Sequence, residues 1–193
     1  MARERALTPL AIAALALLAE RDMHPYEMFT TMVDRREDLV VKLRAGSLYH
    51  AVNRLAEDGM VDAVGTERDG NRPERTTYAI TAAGRERLHA TVADMLARPA
   101  EEYPAFPLAV AEAHNLDRDT VVDLLRARLD RVDSDLQVMR DGLARALTRT
   151  LEVHLLDLDY LITMRAAEAD WLRRTVERLD DDTLEWKAPC HGE

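Results

Sequence analysis

Cysteine occurs once, at Cys190. A single thiol closes no disulfide within its own chain, which excludes a disulfide framework and makes a reducing cytoplasm the expected compartment. Seven glycines in 193 residues supply no phosphate-cradling loop, and neither a nucleophile elbow nor a His-Glu metalloprotease pair is present. The longest apolar segment, LTPLAIAALALLA, has about 13 residues against the roughly 20 that span a bilayer, so no membrane helix is expected. MARERALT precedes a run too interrupted for a secretory signal. Glu112 with His114, His154 with Asp157, and Cys190 with His191 are candidate metal ligands, but they are scattered and lack the further partners of a closed site. The sequence therefore predicts no catalytic residue, no metal and no cofactor. Aromatics are scarce at 5 %.

Hydrophobic residues make up 47 %, enough to exclude a disordered polypeptide, and Ala, Leu, Arg, Glu and Asp dominate in a balance that favours helix. The formal net charge of −10 counts against nucleic acid only if it is spread evenly. It is not: residues 1–92 carry −1 and residues 93–193 carry −9. Screening limits charge interactions to about 8–10 Å at physiological salt, so an acidic C-terminal half need not repel DNA held at the other end, though it is expected to weaken non-specific binding.

Thr8 and Pro9 open the first helix, which runs to about Glu20 as nearly continuous Ala, Leu and Ile. A helix apolar all round is enclosed, and here a second subunit is one candidate cover for part of it. A second helix is predicted from Pro25 to about Arg36 with Tyr26, Phe29, Met32 and Val33 inward. The richest stretch is 42–81, KLRAGSLYHAVNRLAEDGMVDAVGTERDGNRPERTTYAIT. Leu48, Val52 and Leu55 recur at spacings of a buried helical face, leaving Tyr49, His50, Asn53 and Arg54 outward. Ser47 is the expected N-cap and Gly59 the expected left-handed stop. MVDAV alternates, DGNRPER breaks, and TTYAIT is a second strand, before a further helix from Ala82 to about Ala97 with Leu88, Val92 and Met95 or Leu96 on one side.

A helix and basic hairpin of this kind have the anatomy of a winged helix. Ser47, Tyr49, His50, Asn53 and Arg54 suit the major groove, while Lys42, Arg44, Arg72 and Arg75 suit phosphates or the adjoining minor groove, with Arg68 also in the wing tip. The plain alternative is ordinary solvated charge. GSLYHAVNRLAEDGMVDA, with HPYEM upstream and TTYAITAAGRERL downstream, resembles the PadR family of bacterial transcriptional regulators over about the first 90 residues. Many relatives have Gly where Pro25 stands, and Pro is acceptable in a first helical turn. The resemblance implies a homodimeric regulator, commonly a repressor relieved by a small molecule.

Pro99, Pro104 and Pro107 mark a joint, and a short helix from Leu108 to His114 precedes caps at Asn115 to Asp117. Then come two heptad stripes. Val122, Leu125, Leu129, Val132, Leu136, Met139 and Leu143 form the first; Leu151, Leu155, Leu158, Ile162, Arg165, Ala169, Leu172, Val176 and Leu179 form the second. An antiparallel hairpin is favoured over one bent helix, since a rod of about 65 residues would span nearly 100 Å. Two helices enclose little volume, so burying both stripes calls for a partner chain, with Leu125, Leu129, Val132, Leu136, Leu155, Leu158, Ile162 and Leu172 as the dimerisation seam. Arg165 in that stripe either pairs with an acid of the facing helix or reaches solvent.

The expectation is a mainly α protein with a small β-hairpin: a winged helix-turn-helix domain at 1–97, a Pro-rich joint and short helix at 98–116, a helical hairpin dimerisation domain at 117–182, and a tail at 183–193. The expected function is sequence-specific binding of a two-fold symmetric duplex operator by a homodimeric repressor. Tyr103, Phe106 and Trp171 are candidate walls for a small aromatic or apolar effector, unless Trp171 merely packs the hairpin. The competing class is a winged-helix interaction scaffold that binds no DNA, and the exposed face of Ser47 to Arg54 separates the two.

Overall fold

The computed structural model describes residues 6–67 and 75–186. The chain divides into two compact units, Met1–Glu101 and Glu102–Glu193.

In the first unit α1, Pro9–Glu20, starts at Thr8, whose hydroxyl accepts the Ala11 N–H at 3.2 Å. It buries Leu10, Ala11, Ala14, Leu15, Leu17 and Leu18. His24 caps α2, Pro25–Asp34, its Nδ1 accepting the Glu27 N–H at 3.1 Å. The inward ridge of α2 is Pro25, Met28 and Met32; of the expected Tyr26, Phe29, Met32 and Val33, Met32 alone lies on it. Tyr26 is 57 % exposed and Val33 is exposed, while Phe29 packs partly against the core. Apolar residues occur on two sides of this short helix, and the two thioethers take the inner one. A 3₁₀ turn, Glu37–Leu39, leads on to α3, Ala45–Glu57.

The start of α3 differs from expectation. Arg44, in extended conformation, is the N-cap, and no side chain accepts from the first turn. Ser47 therefore lies inside that turn. Leu48, Val52 and Leu55 point inward, and the helix ends in a six-residue carbonyl loop: Met60 N–H donates to Leu55 O at 2.8 Å and Gly59 N–H to Ala56 O at 3.0 Å. Gly59 takes φ +69, a conformation that costs a side-chain-bearing residue strain.

The strands β1, Val61–Glu67, and β2, Arg75–Ile80, pair antiparallel. Ala63 faces Tyr78 and Gly65 faces Thr77, so Val64 is the extra residue of a β-bulge. Met23 adds an isolated bridge to Tyr78. Thr81 then caps α4, Ala82–Ala97: its hydroxyl accepts the Gly84 N–H at 3.0 Å and donates to Gly59 O at 2.9 Å. A Cβ on Gly84 would stand 2.1 Å from Met60 O, so this helix reaches the ribbon only through a glycine. Beyond Leu88 the residues Val92, Met95 and Leu96 are exposed, rather than continuing the core.

In the second unit α5 is Ala105–Ala111, followed by a 3₁₀ turn, Ala113–Asn115. The expected start at Leu108 moves up because Pro107 fits a first turn, where its missing N–H has no helical partner to lose. Asp117 caps α6, Arg118–Ala146; its carboxylate accepts from the Thr120 N–H at 2.8 Å and hydroxyl at 2.6 Å. After a break and a 3₁₀ turn, Glu152–Leu155, α7 runs Leu156–Asp180. There are two helices, not one bent rod. Leu151 lies before the second helix and is 70 % exposed, so the second stripe starts later than expected.

The hairpin closes two small cores. Val132, Leu136, Ala169 and Leu172 form one; Val121, Val122, Val176 and Leu179 form the other, with Leu184 and Trp186 packed on it. Val132, Leu136 and Leu172 are thus covered within the chain, contrary to the expectation that they need a partner. Residues 183–186 are not a free tail, since the Trp186 indole N–H donates to Leu116 O at 3.0 Å. Cys190 and His191 lie outside the described residues. Ion pairs cross the hairpin: Arg126 with Asp180, Arg173 with Asp133, and Arg128 with Glu168. Arg165 bonds Glu168 of its own helix at 3.1 Å, neither an acid of the facing helix nor solvent alone. The exposed pairs Arg126–Asp180 and Arg173–Asp133 contribute about 0–1 kcal/mol each, and Arg128–Glu168 is part-buried, so the apolar stripes carry most of the packing. Among the described residues no helix is long and apolar enough to cross a membrane.

Candidate nucleic-acid interface

The buried ridge Leu48, Val52 and Leu55 fixes the rotation of α3 about its axis. With that ridge inward, Ser47, Tyr49, His50, Asn53 and Arg54 all stand exposed, as do Lys42 and Arg44 in the extended segment ahead of the helix. Ser47, His50 and Arg54 form one wall of a shallow groove of ≈ 360 Å³, with Leu7, Thr8 and Ala11 at the head of α1 opposite. Tyr49 and Asn53 are not among its lining residues.

Charge pairing separates these cations from others of the same unit. Arg21 is paired with Glu27 at 2.5 Å, Arg35 with Glu20 through two bonds of 2.6 and 2.8 Å, and Arg36 with Asp38 at 3.2 Å. The bonds to Glu20 raise the Arg35 guanidinium above its ordinary range. Among the described residues, Lys42, Arg44 and Arg54 have no acidic partner. An exposed, unpaired cation keeps its full attraction for a phosphate row, where a paired one must first give up its carboxylate. Of the expected wing residues, Arg68 and Arg72 lie outside the described residues, and Arg75 opens β2 opposite Glu67.

The proposed effector wall assembles only in part. Phe106 of α5 meets Trp171 of α7 edge to face, ring centres 5.9 Å apart at 87°, and the Arg128 guanidinium lies 3.6 Å over the Phe106 ring. Tyr103 is 89 % exposed. The ≈ 530 Å³ groove of the second unit is walled instead by Arg126, Leu129, Arg173, Val176 and the acids Glu177, Asp180 and Asp181. Sequence reasoning missed Arg128 and Glu168, which flank the inward stripe and meet across the hairpin. Their signal was an opposite charge pair beside the stripe, but a stripe alone does not give the register that brings them together.

Residues 14–90 match the profile described as "Transcriptional regulator PadR-like family". No curated protein matches the chain. Among solved structures, Bacillus subtilis PadR in complex with operator DNA superposes with a TM-score of 0.76 at 17 % identity, over 89 % of this chain and 99 % of that one. The same regulator in complex with p-coumaric acid gives 0.72 at 18 % identity, over 89 % and 98 %. The Bacillus cereus PadR-like transcriptional regulator BC1756 gives 0.65 at 18 % identity, over 90 % and 99 %. At these identities the superpositions establish a shared fold.

Proposed function

We propose that this chain, whose residues 14–90 match the PadR-like family of transcriptional regulators, belongs to that family, binds a specific duplex operator as a homodimer and represses transcription until a small aromatic or apolar molecule releases it. The observation that carries the DNA-binding part is the set of unpaired cations, Lys42, Arg44 and Arg54, beside an exposed polar helix face in a unit whose other cations are largely paired. A protein-interaction scaffold has no need of that arrangement.

In this reading Ser47, Tyr49, His50, Asn53 and Arg54 enter a major groove. Lys42 and Arg44, with Arg72 and Arg75 of the wing, hold phosphates or the minor groove. That Bacillus subtilis PadR has been seen with operator DNA supports it. Dimerisation falls to the second unit, where Leu156, Tyr160 and Met164 at the start of α7 are exposed beside the half-buried Leu155, Leu158 and Ile162. Leu125 and Leu129 remain available at their edges. The two recognition helices then address half-sites roughly 34 Å apart, or a multiple of that, on a symmetric operator.

For the effector, the Phe106 and Trp171 rings with Arg128 form a surface that suits a planar ligand, and p-coumaric acid in the Bacillus subtilis protein is of that kind. An effector shifts the protein only if it prefers the arrangement that does not bind DNA. The test is a gel shift against DNA immediately upstream of the protein's own gene, with a salt series. Binding that weakens steeply with salt and exceeds that of random DNA supports the reading; no binding to any duplex at low salt restores the scaffold.

A further inference from the structure

We propose that Gly46 is a positioning residue of the DNA interface: the missing side chain at the head of the Gly46, His50, Asn53 line sets how deeply α3 enters the major groove. The inference rests on the duplex-binding reading above and adds a residue that the contact set does not contain.

Glycine in a helix interior costs about 0.5–1 kcal/mol relative to alanine, and the smaller cost in the first turn of α3 has no internal return at position 46. Gly59 is needed for its positive φ and Gly84 for its approach to Met60 O. Gly46 has neither reason. It lies within Ala45–Glu57, it is exposed, its φ is not positive, and a Cβ built on it meets no atom within 4 Å. Among the described residues nothing excludes a side chain there, so the use of glycine is read as a requirement of what docks on this face.

The direction is fixed by the helix. Positions 46, 50 and 53, spaced four and three, run along the middle of the face opposite Leu48, Val52 and Leu55. A helix of about 10–12 Å diameter fills a major groove about 12 Å wide, so a group added on that middle line is not accommodated sideways. It pushes the helix out. A hydrogen bond does not survive stretching from about 2.9 to 3.6 Å, so an outward shift of under 1 Å takes base contacts from His50 and Asn53.

The experiment selects a duplex from a random-sequence pool with the wild-type protein. Affinities for that duplex and a scrambled one are then measured for wild type, Gly46→Ala, Gly46→Leu and Gly142→Ala, with thermal melting of each. Gly142 of α6 also has open space before it, and its alanine variant reports the propensity gain alone. Gly46→Ala is expected to melt no lower than wild type while binding the selected duplex about fivefold or more weakly, the loss of roughly one bidentate base contact. Gly46→Leu should bind weaker still. The scrambled duplex should lose less, so discrimination shrinks, and Gly142→Ala should bind as wild type does. Unchanged affinity in both Gly46 variants, equal losses on both duplexes, or an equal loss in Gly142→Ala would overturn the inference and leave the functional reading standing. A wild type that binds no duplex would overturn both.

Discussion

In the first unit one core gathers buried side chains from α1, α2, α3, β1 and α4 around Leu15, Leu18, Met28, Met32, Leu48 and Val52. In the second, two clusters of four buried residues each lie between α6 and α7, and the start of α7 leaves Leu156, Tyr160 and Met164 in water. Five elements packed from several directions enclose a volume; two helices meet along a line and cover only what faces that line. The winged unit thus closes one core of its own, although the end of α4 leaves Val92, Met95 and Leu96 exposed, and the hairpin is complete at the end near Leu179 but open at the end near Tyr160. An interior that closes on itself suits a reading head, and an open apolar surface suits assembly.

The largest break in this contrast is expected from Leu172→Ala. Leu172 is fully buried against Val132 and Leu136, so truncation should cost about 2–5 kcal/mol, separating α7 from α6 while the winged unit stays folded. Urea unfolding followed by hydrogen exchange of each unit checks this; uniform loss in both would show that the units do not fold independently. Gly84→Ala is the counterpart in the first unit. Its Cβ would collide with a backbone carbonyl that is itself bonded to Thr81 N–H at 3.0 Å, and overpacking of that kind costs about 1–3 kcal/mol. Melting of the isolated variant, with the hairpin's exchange unchanged, is the expected result.

These substitutions also mark where the sequence was legible. The heptad stripes are long and redundant, so their inward residues, including Val122, Leu136, Leu172 and Leu179, could be named from spacing alone. The α3 ridge was legible because its opposite face is polar. The short α2 was not: with Tyr26, Met28, Phe29, Met32 and Val33 in eight positions, apolar residues point several ways and spacing cannot choose the phase. The start of α3 was not legible either: Ser47 has the chemistry of a cap, but the extended Arg44 is the real limit. The packing of Trp186 on Leu116 joins positions 70 apart, a contact that no local pattern encodes. The outward residues of the candidate interface were named correctly as outward, but their freedom from ion pairs emerges only when the acids around them are placed.

Tyr160→Glu sharpens the comparison at the open end. Tyr160 is 63 % exposed, so the folding stability of the chain should change by less than about 0.5 kcal/mol, whereas a homodimer closed over that face should weaken about tenfold or more on burial of an unpaired charge. Sedimentation at several concentrations measures it, and a monomeric wild type would remove this use of the surface. The smallest effect is expected at the closed end, from acid. Hydrogen bonds from the Thr120 hydroxyl and N–H hold the Asp117 carboxyl below its ordinary range. A carboxyl depressed in the folded state contributes stability that is fully present above its unfolded pKa and is lost as pH falls through the folded one. Asp117→Asn keeps an acceptor that does not titrate, so its hairpin should lose less between neutral and strongly acidic pH than wild type does; identical acid profiles would contradict this.

The unpaired Val64 in β1 separates two properties of the wing that are usually treated as one. Deleting it would leave every cross-strand partner unchanged, with Ala63 still opposite Tyr78 and Gly65 still opposite Thr77, yet would remove the bend and added twist that a bulge imposes. The heading of the ribbon as it leaves the domain is then a matter of counting, one residue more on one strand than on the other, while the charges it carries are a matter of composition. A change of arm length by one and a change of arginine content can accordingly be varied one without the other, so that under the proposed duplex binding the two would report separately on where the ribbon lies and how strongly it is held.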